Sequence, residues 1–380
     1  MTETIHAPNV ILGAGAMGAA AAYHLARRGE PVLLLEQFAI GHDRGSSHGA
    51  ARITRHSYAD PFYASLMPAA FRAWKVLEAE AGQNLYLRTG GISLCAPRLD
   101  YVARVTANLE AIDVPHRRMT GKELRRTFPM FGVPDDHDVV FEPDAGMLSA
   151  ARCIAAQVDL ARRLGGDKTT ILENTKVERI DVEGSRPVIL TKSHRIVADR
   201  LIVTAGSWTS QLLPQVARPL KPTHQRVFYF RAADPSPFQP GRFPVFISKG
   251  TKELDDFYGM PEFLGLGVKV ARHGGPEVSP DDPARPVEEN YEGIVRAFLR
   301  EHIPALAETP IDLTEVCLYT VTPDDNFCLG SLGSCPEVIV ASPCSGHGFK
   351  FSCLIGSILA DLATRGSTEF ATEPWAFATP

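Results

Sequence analysis

Asn9-Val10-Ile11-Leu12-Gly13-Ala14-Gly15-Ala16-Met17-Gly18 decides how the chain is read. Its first four residues are a short apolar run, which reads as a buried strand. Gly13, Gly15 and Gly18 follow in GxGxxG spacing, and AAAAYHLARR then supplies strong helix formers with two arginines at the end. Gly29 stands where a helix C-cap belongs. Pro31-Val32-Leu33-Leu34-Leu35 reads as a second buried strand, closed by Glu36. The pattern is a strand–turn–helix–strand unit.

A GxGxxG alone is a weak signal. Here it follows a strand and opens a helix, and Glu36 lies 18 residues after Gly18. Gly13 permits a tight turn, Gly15 lets backbone approach a pyrophosphate, and Gly18 lets the helix pack closely on the strand. The helix N-terminus offers free N–H groups and a partial positive charge to phosphates. Glu36 suits ribose hydroxyls and repels a 2′-phosphate, which disfavours NADP. The unit leaves NAD and FAD open. Its N-terminal position favours FAD, as does Leu201-Ile202-Val203-Thr204-Ala205-Gly206-Ser207-Trp208, an apolar strand ending in small residues that flavoproteins of this architecture return near the cofactor.

The chain's 380 residues suggest two domains or one elaborate α/β unit. With 44% hydrophobic and 22% charged residues the composition is that of a globular protein, and a net charge of -5 without clustered Lys and Arg argues against nucleic acid as a partner. No apolar run reaches the roughly 18 residues that would cross a bilayer. The N-terminus MTETIHAPNV does not look like a secretory signal, and the C-terminus WAFATP matches no targeting tripeptide. Seven cysteines, irregularly spaced and without a CxxC pair, argue against a metal site and fit a reducing cytoplasm.

Pro61 to Gly82 reads as a helix with Phe62, Leu66, Ala70, Trp74 and Leu77 on one face, bent or interrupted at Pro68. Leu85 to Ala96 reads as two strands paired around Gly90-Gly91, and Thr120-Gly121-Lys122-Glu123 as a capping box. Residues 221–283 read as β-structure and 286–303 as a helix. With no repeat and no linker, the domains are expected to interleave.

The sequence resembles the monomeric sarcosine oxidase and N-methyltryptophan oxidase family of FAD-dependent amine oxidases over nearly its whole length. The likeness is carried by Gly13–Gly18, GSSHGAARITRHSY (Gly45–Tyr58), FEPDAGML (Phe141–Leu148), TAGSW (Thr204–Trp208), KVARH (Lys269–His273), VCLYT (Val316–Thr320) and SGHGFKFS (Ser345–Ser352). It implies an α/β fold of the glycine and D-amino-acid oxidase type. An FAD-binding Rossmann-like domain (1–84, 141–220, 315–380) would interleave with a mixed-sheet substrate domain (85–140, 221–314).

The resemblance also implies roles. Cys317 aligns with a cysteine joined covalently to FAD, although a lone cysteine in an apolar strand is ordinarily just a small buried residue. Arg52 would lie against the flavin and Arg55 on the substrate carboxylate, for which a guanidinium fork is suited; their spacing puts them on one side of a helix or tight loop. In Pro343–Lys350 the glycines Gly346 and Gly348 would let backbone approach a flat ring, with the following helix N-terminus stabilising its anionic edge. Lys350 would be the second cation on the carboxylate, and His347 would touch the flavin or shape the loop. Lys269 would activate oxygen by stabilising developing negative charge. His273, in a strand-like GLGVKVARH, would bind the amine, with Tyr258 and Tyr319 as walls. Gly13, Gly15, Met17, Gly18, Glu36, Ser46, His48 and Val177 complete the expected cofactor contacts.

This chain departs from the family at Ala51, usually threonine, and at Ser47, usually histidine; Ser248–Asp256 also looks longer. The expected activity is oxidation of a secondary amino acid, N-methylated or cyclic, by O2, giving an imine and hydrogen peroxide, in a monomer. A flavin oxidase or dehydrogenase of glycine, proline or a glycated amino acid stands as the alternative, and a non-enzymatic dinucleotide sensor as a more distant one.

Overall fold

The computed structural model of the protein describes residues 3–184, 186–216, 219–251, 256–282 and 288–377. Its first eight-stranded sheet is centred on Glu3–Leu12, which runs parallel to Val32–Leu35 on one side and to His194–Val203 on the other. In that register Leu12 lies beside both Leu35 and Val203. The next residues, Gly13, Glu36 and Thr204, therefore emerge together at the carboxyl ends of three strands, where ligands bind in sheets of this kind. The helix Ala16–Arg27 follows directly, and Gly29 takes φ +77° just beyond it. Its Ala19–Ala22 are fully buried. Small residues there let the helix Ser352–Arg365 approach so closely that a Cβ on Gly356 would lie 2.5 Å from the Ala20 side chain.

The second eight-stranded sheet runs in the order Ile311–Val321, Lys221–Phe230, Val268–Arg272, Phe257–Met260, Val245–Lys249, Gly91–Cys95, Asp138–Glu142, Arg117–Thr120. It is antiparallel except between Val245–Lys249 and Gly91–Cys95. Period-two alternation splits its faces. Phe228, Phe230, Phe246 and Phe257 enter a core closed by the helix Tyr291–His302, while Tyr229, Tyr258, Lys269 and Ala271 lie across from one another on the opposite face. This is the α/β organisation expected from the sequence: a dinucleotide-type sheet with a parallel centre and antiparallel flanks, and a mixed, mostly antiparallel sheet, each assembled from separated stretches of chain.

The helix Pro61–Ala81 starts where expected: Asp60 accepts a hydrogen bond from the Phe62 amide at 2.8 Å, and Gly82 ends it with φ 63°. Pro68 does not interrupt it. Losing one backbone bond costs about 3 kcal/mol, and burial of Leu66, Met67, Ala70, Trp74 and Leu77 along the helix offsets that. The capping box at Thr120 and Glu123 forms. The expected hairpin around Gly90-Gly91 does not. Tyr86–Arg88 pairs with Gly146–Ser149 in a three-stranded sheet, whereas Gly91–Cys95 joins the second sheet. Gly90, at φ +72° with the Phe141 ring 2.6 Å from any Cβ, is the point where the chain changes sheets. The helix expected over 286–303 spans Tyr291–His302, and 283–287 lie outside the described residues. So do 252–255 of the long segment Ser248–Asp256.

Candidate active site

A cavity of about 920 Å³ opens between the carboxyl edge of the first sheet and the polar face of the second. At the dinucleotide end Gly13 takes φ +93°, and a Cβ there would meet the Thr204 carbonyl at 2.7 Å. Thr204 in turn donates from its hydroxyl to the Leu12 carbonyl at 2.7 Å, which locks TAGSW under the glycine turn. Gly18 does not line the cavity. It packs beneath it, where a Cβ would sit 1.8 Å from the Gly13 carbonyl oxygen. Glu36 is buried and accepts hydrogen bonds from the Ala14 amide (2.8 Å) and the Phe38 amide (3.0 Å), so it braces the turn as well as facing the cavity. Gly15, Met17, Ser46 and Val177 line the same end. Ser47, where this chain departs from the family, accepts on its hydroxyl from the Ala16 amide at 3.1 Å and so caps the helix start.

The middle of the cavity is cationic. Arg52 lies within the strand Ala51–Thr54 and Arg55 follows it, so their shared side comes from a strand end and not from a helix. The Arg52 guanidinium donates to the carbonyls of Ala51 (3.0 Å), Ser46 (3.0 Å) and His48 (2.6 Å). Lys269 is 4% exposed, with Nζ 4.0 Å from Glu315 and 5.5 Å from the Tyr229 ring centroid. Burial first, then the charge of Arg52, lowers its pKa to about 8 despite Glu315. The Tyr229 hydroxyl donates to Glu315 at 2.6 Å, which fixes that carboxylate. Cys317 is buried on the same strand as Glu315, two residues on, and lines the cavity. His48 is held neutral, with a pKa of about 4, by burial and then by Arg52; its Nε2 is buried without a hydrogen-bond partner.

At the far end Arg55 and Lys350 meet on one tyrosine. The Arg55 guanidinium carbon lies 4.5 Å from the Tyr58 ring centroid, and Lys350 Nζ donates to the Tyr58 hydroxyl at 3.1 Å and to the His347 carbonyl at 2.9 Å. Arg55 Nε and Nη1 are buried without a hydrogen-bond partner. Among the described residues no carboxylate pairs with either cation. Burial, followed by Arg55, pulls the Lys350 pKa well below its usual value. Two cations facing one buried space are costly unless an anion joins them.

Gly346 is required by side chains: a Cβ there would lie 2.3 Å from the His273 ring and 2.6 Å from the Tyr319 ring. A Cβ on Gly348 would strike the Pro343 carbonyl. His347 shapes the loop, with Nδ1 3.1 Å from the Tyr58 hydroxyl, Nε2 3.1 Å from the Asp325 carbonyl and its ring stacked on Phe327. His273 is kept neutral, with a pKa of about 4, by burial and then by Lys249 and Lys350. The Tyr258 and Tyr319 hydroxyls lie 3.4 Å apart, and burial raises both pKa values.

Sequence reading missed Tyr58, Glu315 and the cavity-lining ion pair Lys249–Asp256. Tyr58 closes the motif that holds Arg55, so it was within reach. Glu315 and Asp256 carry no local signal; only strand register brings them to the site.

The donor set fits FAD: the glycine turn is bare toward the cavity, His48 Nε2 awaits a partner, and cations surround the middle. The chain belongs to the FAD dependent oxidoreductase family, whose pattern matches residues 9–362. It is 34% identical over 375 residues to monomeric sarcosine oxidase of Bacillus sp. (strain NS-129), covering 96% of this chain and 94% of that one. It is 33% identical over 374 residues to peroxisomal sarcosine oxidase of Homo sapiens, with the same two coverages. The structure of NikD, described as an unusual amino acid oxidase essential for nikkomycin biosynthesis, superposes with a TM-score of 0.85 at 21% identity over 99% of this chain and 98% of that one. That last likeness is one of fold.

Proposed function

We propose that the protein is an oxidase of secondary amino acids, N-methylated or cyclic. The observation that carries this reading is the pair of buried cations, Arg55 and Lys350, with no carboxylate between them among the described residues, in the cavity that also holds Lys269 and Cys317. A substrate carboxylate supplies the missing anion, and charge-assisted hydrogen bonds of this type are each worth roughly 1.5–3 kcal/mol. When bound, FAD would be held by the glycine turn, Glu36 and Arg52, with Cys317 as its covalent anchor, and would supply the two-electron acceptor that O2 regenerates.

The chain's own groups do the rest. Arg55 and Lys350 orient the substrate and disfavour its ammonium form, since like charges lower the amine pKa. His273 is neutral at physiological pH and accepts a hydrogen bond from the amine. Tyr258 and Tyr319 remain protonated and wall off water. Lys269 holds positive charge beside Arg52 where negative charge develops as oxygen is reduced. The substrate loses a hydride equivalent and a proton to become an imine, which water cleaves to an aldehyde and an amine when the nitrogen substituent is methyl. O2 gains two electrons and two protons to leave as hydrogen peroxide.

The same proposal includes the division of the chain at 84, 140, 220 and 314; the two sheets support the cuts at 84 and 220, while those at 140 and 314 fall within the second-sheet strands Asp138–Glu142 and Ile311–Val321. It also includes a monomer in the cytoplasm, a location supported by seven cysteines that form no disulfide. No helix among the described residues is long and apolar enough to cross a membrane. Oxygen uptake and peroxide release across sarcosine, other N-methyl amino acids, pipecolate, proline and glycine test the activity. Peroxide from secondary but not primary amino acids supports the reading, and turnover only with an artificial acceptor overturns the oxidase assignment.

A further inference from the structure

We infer that Glu142, a fully buried carboxylate outside the cavity, is the positioning residue for Arg55. The inference rests on the reading of Arg55 as a carboxylate anchor. Glu142 ends the strand Asp138–Glu142, is 0% exposed and does not line the cavity. Its two oxygens accept from the His56 amide (2.9 and 3.0 Å), the Ser57 amide (3.0 Å), the His56 ring Nδ1 (2.6 Å) and the Ser57 hydroxyl. Both donor residues follow Arg55 directly in the chain. The His56 ring is stacked on Phe71 of the helix Pro61–Ala81, with centroids 4.0 Å apart, which holds the clamp from the other side.

The arginine itself has little else to hold it. Its Nε and Nη1 have no hydrogen-bond partner, and the Tyr58 ring fixes only the plane on which it rests. The direction of the guanidinium therefore depends on the backbone from 55 to 57, and that backbone depends on Glu142. Burial alone would raise the pKa of Glu142, but the hydrogen bonds from His56 and Ser57 more than cancel this and hold it below the usual range. It acts as a carboxylate that satisfies four donors at once. Such bracing lowers the cost of ordering the anchor when ligand arrives.

The test uses the holoenzyme and methoxyacetate, an ether carboxylate with no amine to oxidise, titrated against the visible absorbance of the flavin. Glu142→Gln keeps the shape of the side chain but replaces one acceptor oxygen with a donor group. A loss of roughly 10- to 100-fold in methoxyacetate affinity is expected. Arg55→Ala should weaken binding at least as much, and adding Glu142→Gln to Arg55→Ala should cost nothing further, because the glutamate acts through the arginine. Ser57→Ala removes a single donor and, with far less risk to folding, should give a smaller loss that also vanishes in the Arg55→Ala background. If Arg55→Ala weakens binding while Glu142→Gln lowers only Tm, or if the two losses multiply in the double variant, the positioning role is wrong and the anchor stands. If Arg55→Ala leaves affinity unchanged, the anchor is wrong and the positioning role goes with it.

Discussion

Lys269 shows how much one residue owes to its neighbours. In water a lysine titrates near 10.4, and here burial and Arg52 bring it to about 8. Its role in oxygen reduction needs the charged form, so flavin reoxidation should be fastest below pH 8 and fall as pH rises through it. Lys269→Met should slow reoxidation by about 100-fold or more, the scale of removing one charge-stabilising donor, and leave flavin reduction within a few-fold. Stopped-flow measurement of each half-reaction decides, and equal slowing of both would remove the oxygen role. Cys317 has a simpler test. Acid precipitation should leave the yellow colour in the pellet for the native chain and release it for Cys317→Ser; release from the native chain would show that no thioether forms. Arg52, Arg55, Lys269 and Lys350 were picked out in the sequence through separate motifs of the family resemblance, and all four line one cavity. Glu142 and Glu315 were not, because their meaning lies in partners such as His56, 86 residues earlier in the chain than Glu142.

At the scale of elements, legibility follows locality. The unit from Asn9 to Glu36 could be read because strand, glycine turn, helix and acid are contiguous, and their order fixes their geometry. The helix Pro61–Ala81 was visible from its caps and apolar face, while the passage through Pro68 depended on burial against distant chain. The change of sheet at Gly90 was not visible at all. Two short apolar runs flanking glycines look the same whether they pair with each other or with Gly146–Ser149 and Val245–Lys249. Glycine roles carry a prediction at this scale. A Cβ on Gly18 would overlap the Gly13 carbonyl and crowd Thr204, so Gly18→Ala forces the helix away from the strand. Overpacking of this kind costs roughly 1–3 kcal/mol. The variant should fold but purify with markedly less flavin, measured as the ratio of visible to protein absorbance; an undiminished ratio would show that the turn can relax.

For the whole molecule, the buried histidines set the response to acid. His24 lies inside the helix packing with Nε2 2.9 Å from the Cys353 carbonyl, and burial lowers its pKa to about 3. His347 falls to about 3, and His48 and His273 to about 4, with burial as the first cause each time. Unfolded, each would titrate near 6.5. Between those limits the unfolded chain binds more protons than the folded one, so stability is full above about pH 6.5 and declines as pH falls from there toward 3. His24 lies apart from the cavity and should contribute independently, whereas His48, His273 and His347 line one cavity and the charge of His273 acts on His347, so their contributions are coupled. A depression of one pH unit is worth roughly 1.4 kcal/mol. The holoenzyme Tm should therefore drop by roughly 5 °C or more between pH 7 and pH 5. His24→Gln removes the titration that is farthest from the cavity. The neutral amide avoids the protonation penalty, so this variant should start less stable at pH 7 and lose less on acidification. A Tm that stays flat from pH 7 to pH 5 would mean that these histidines take up protons without unfolding, and that the packing around His24 and the site is looser than the structure shows.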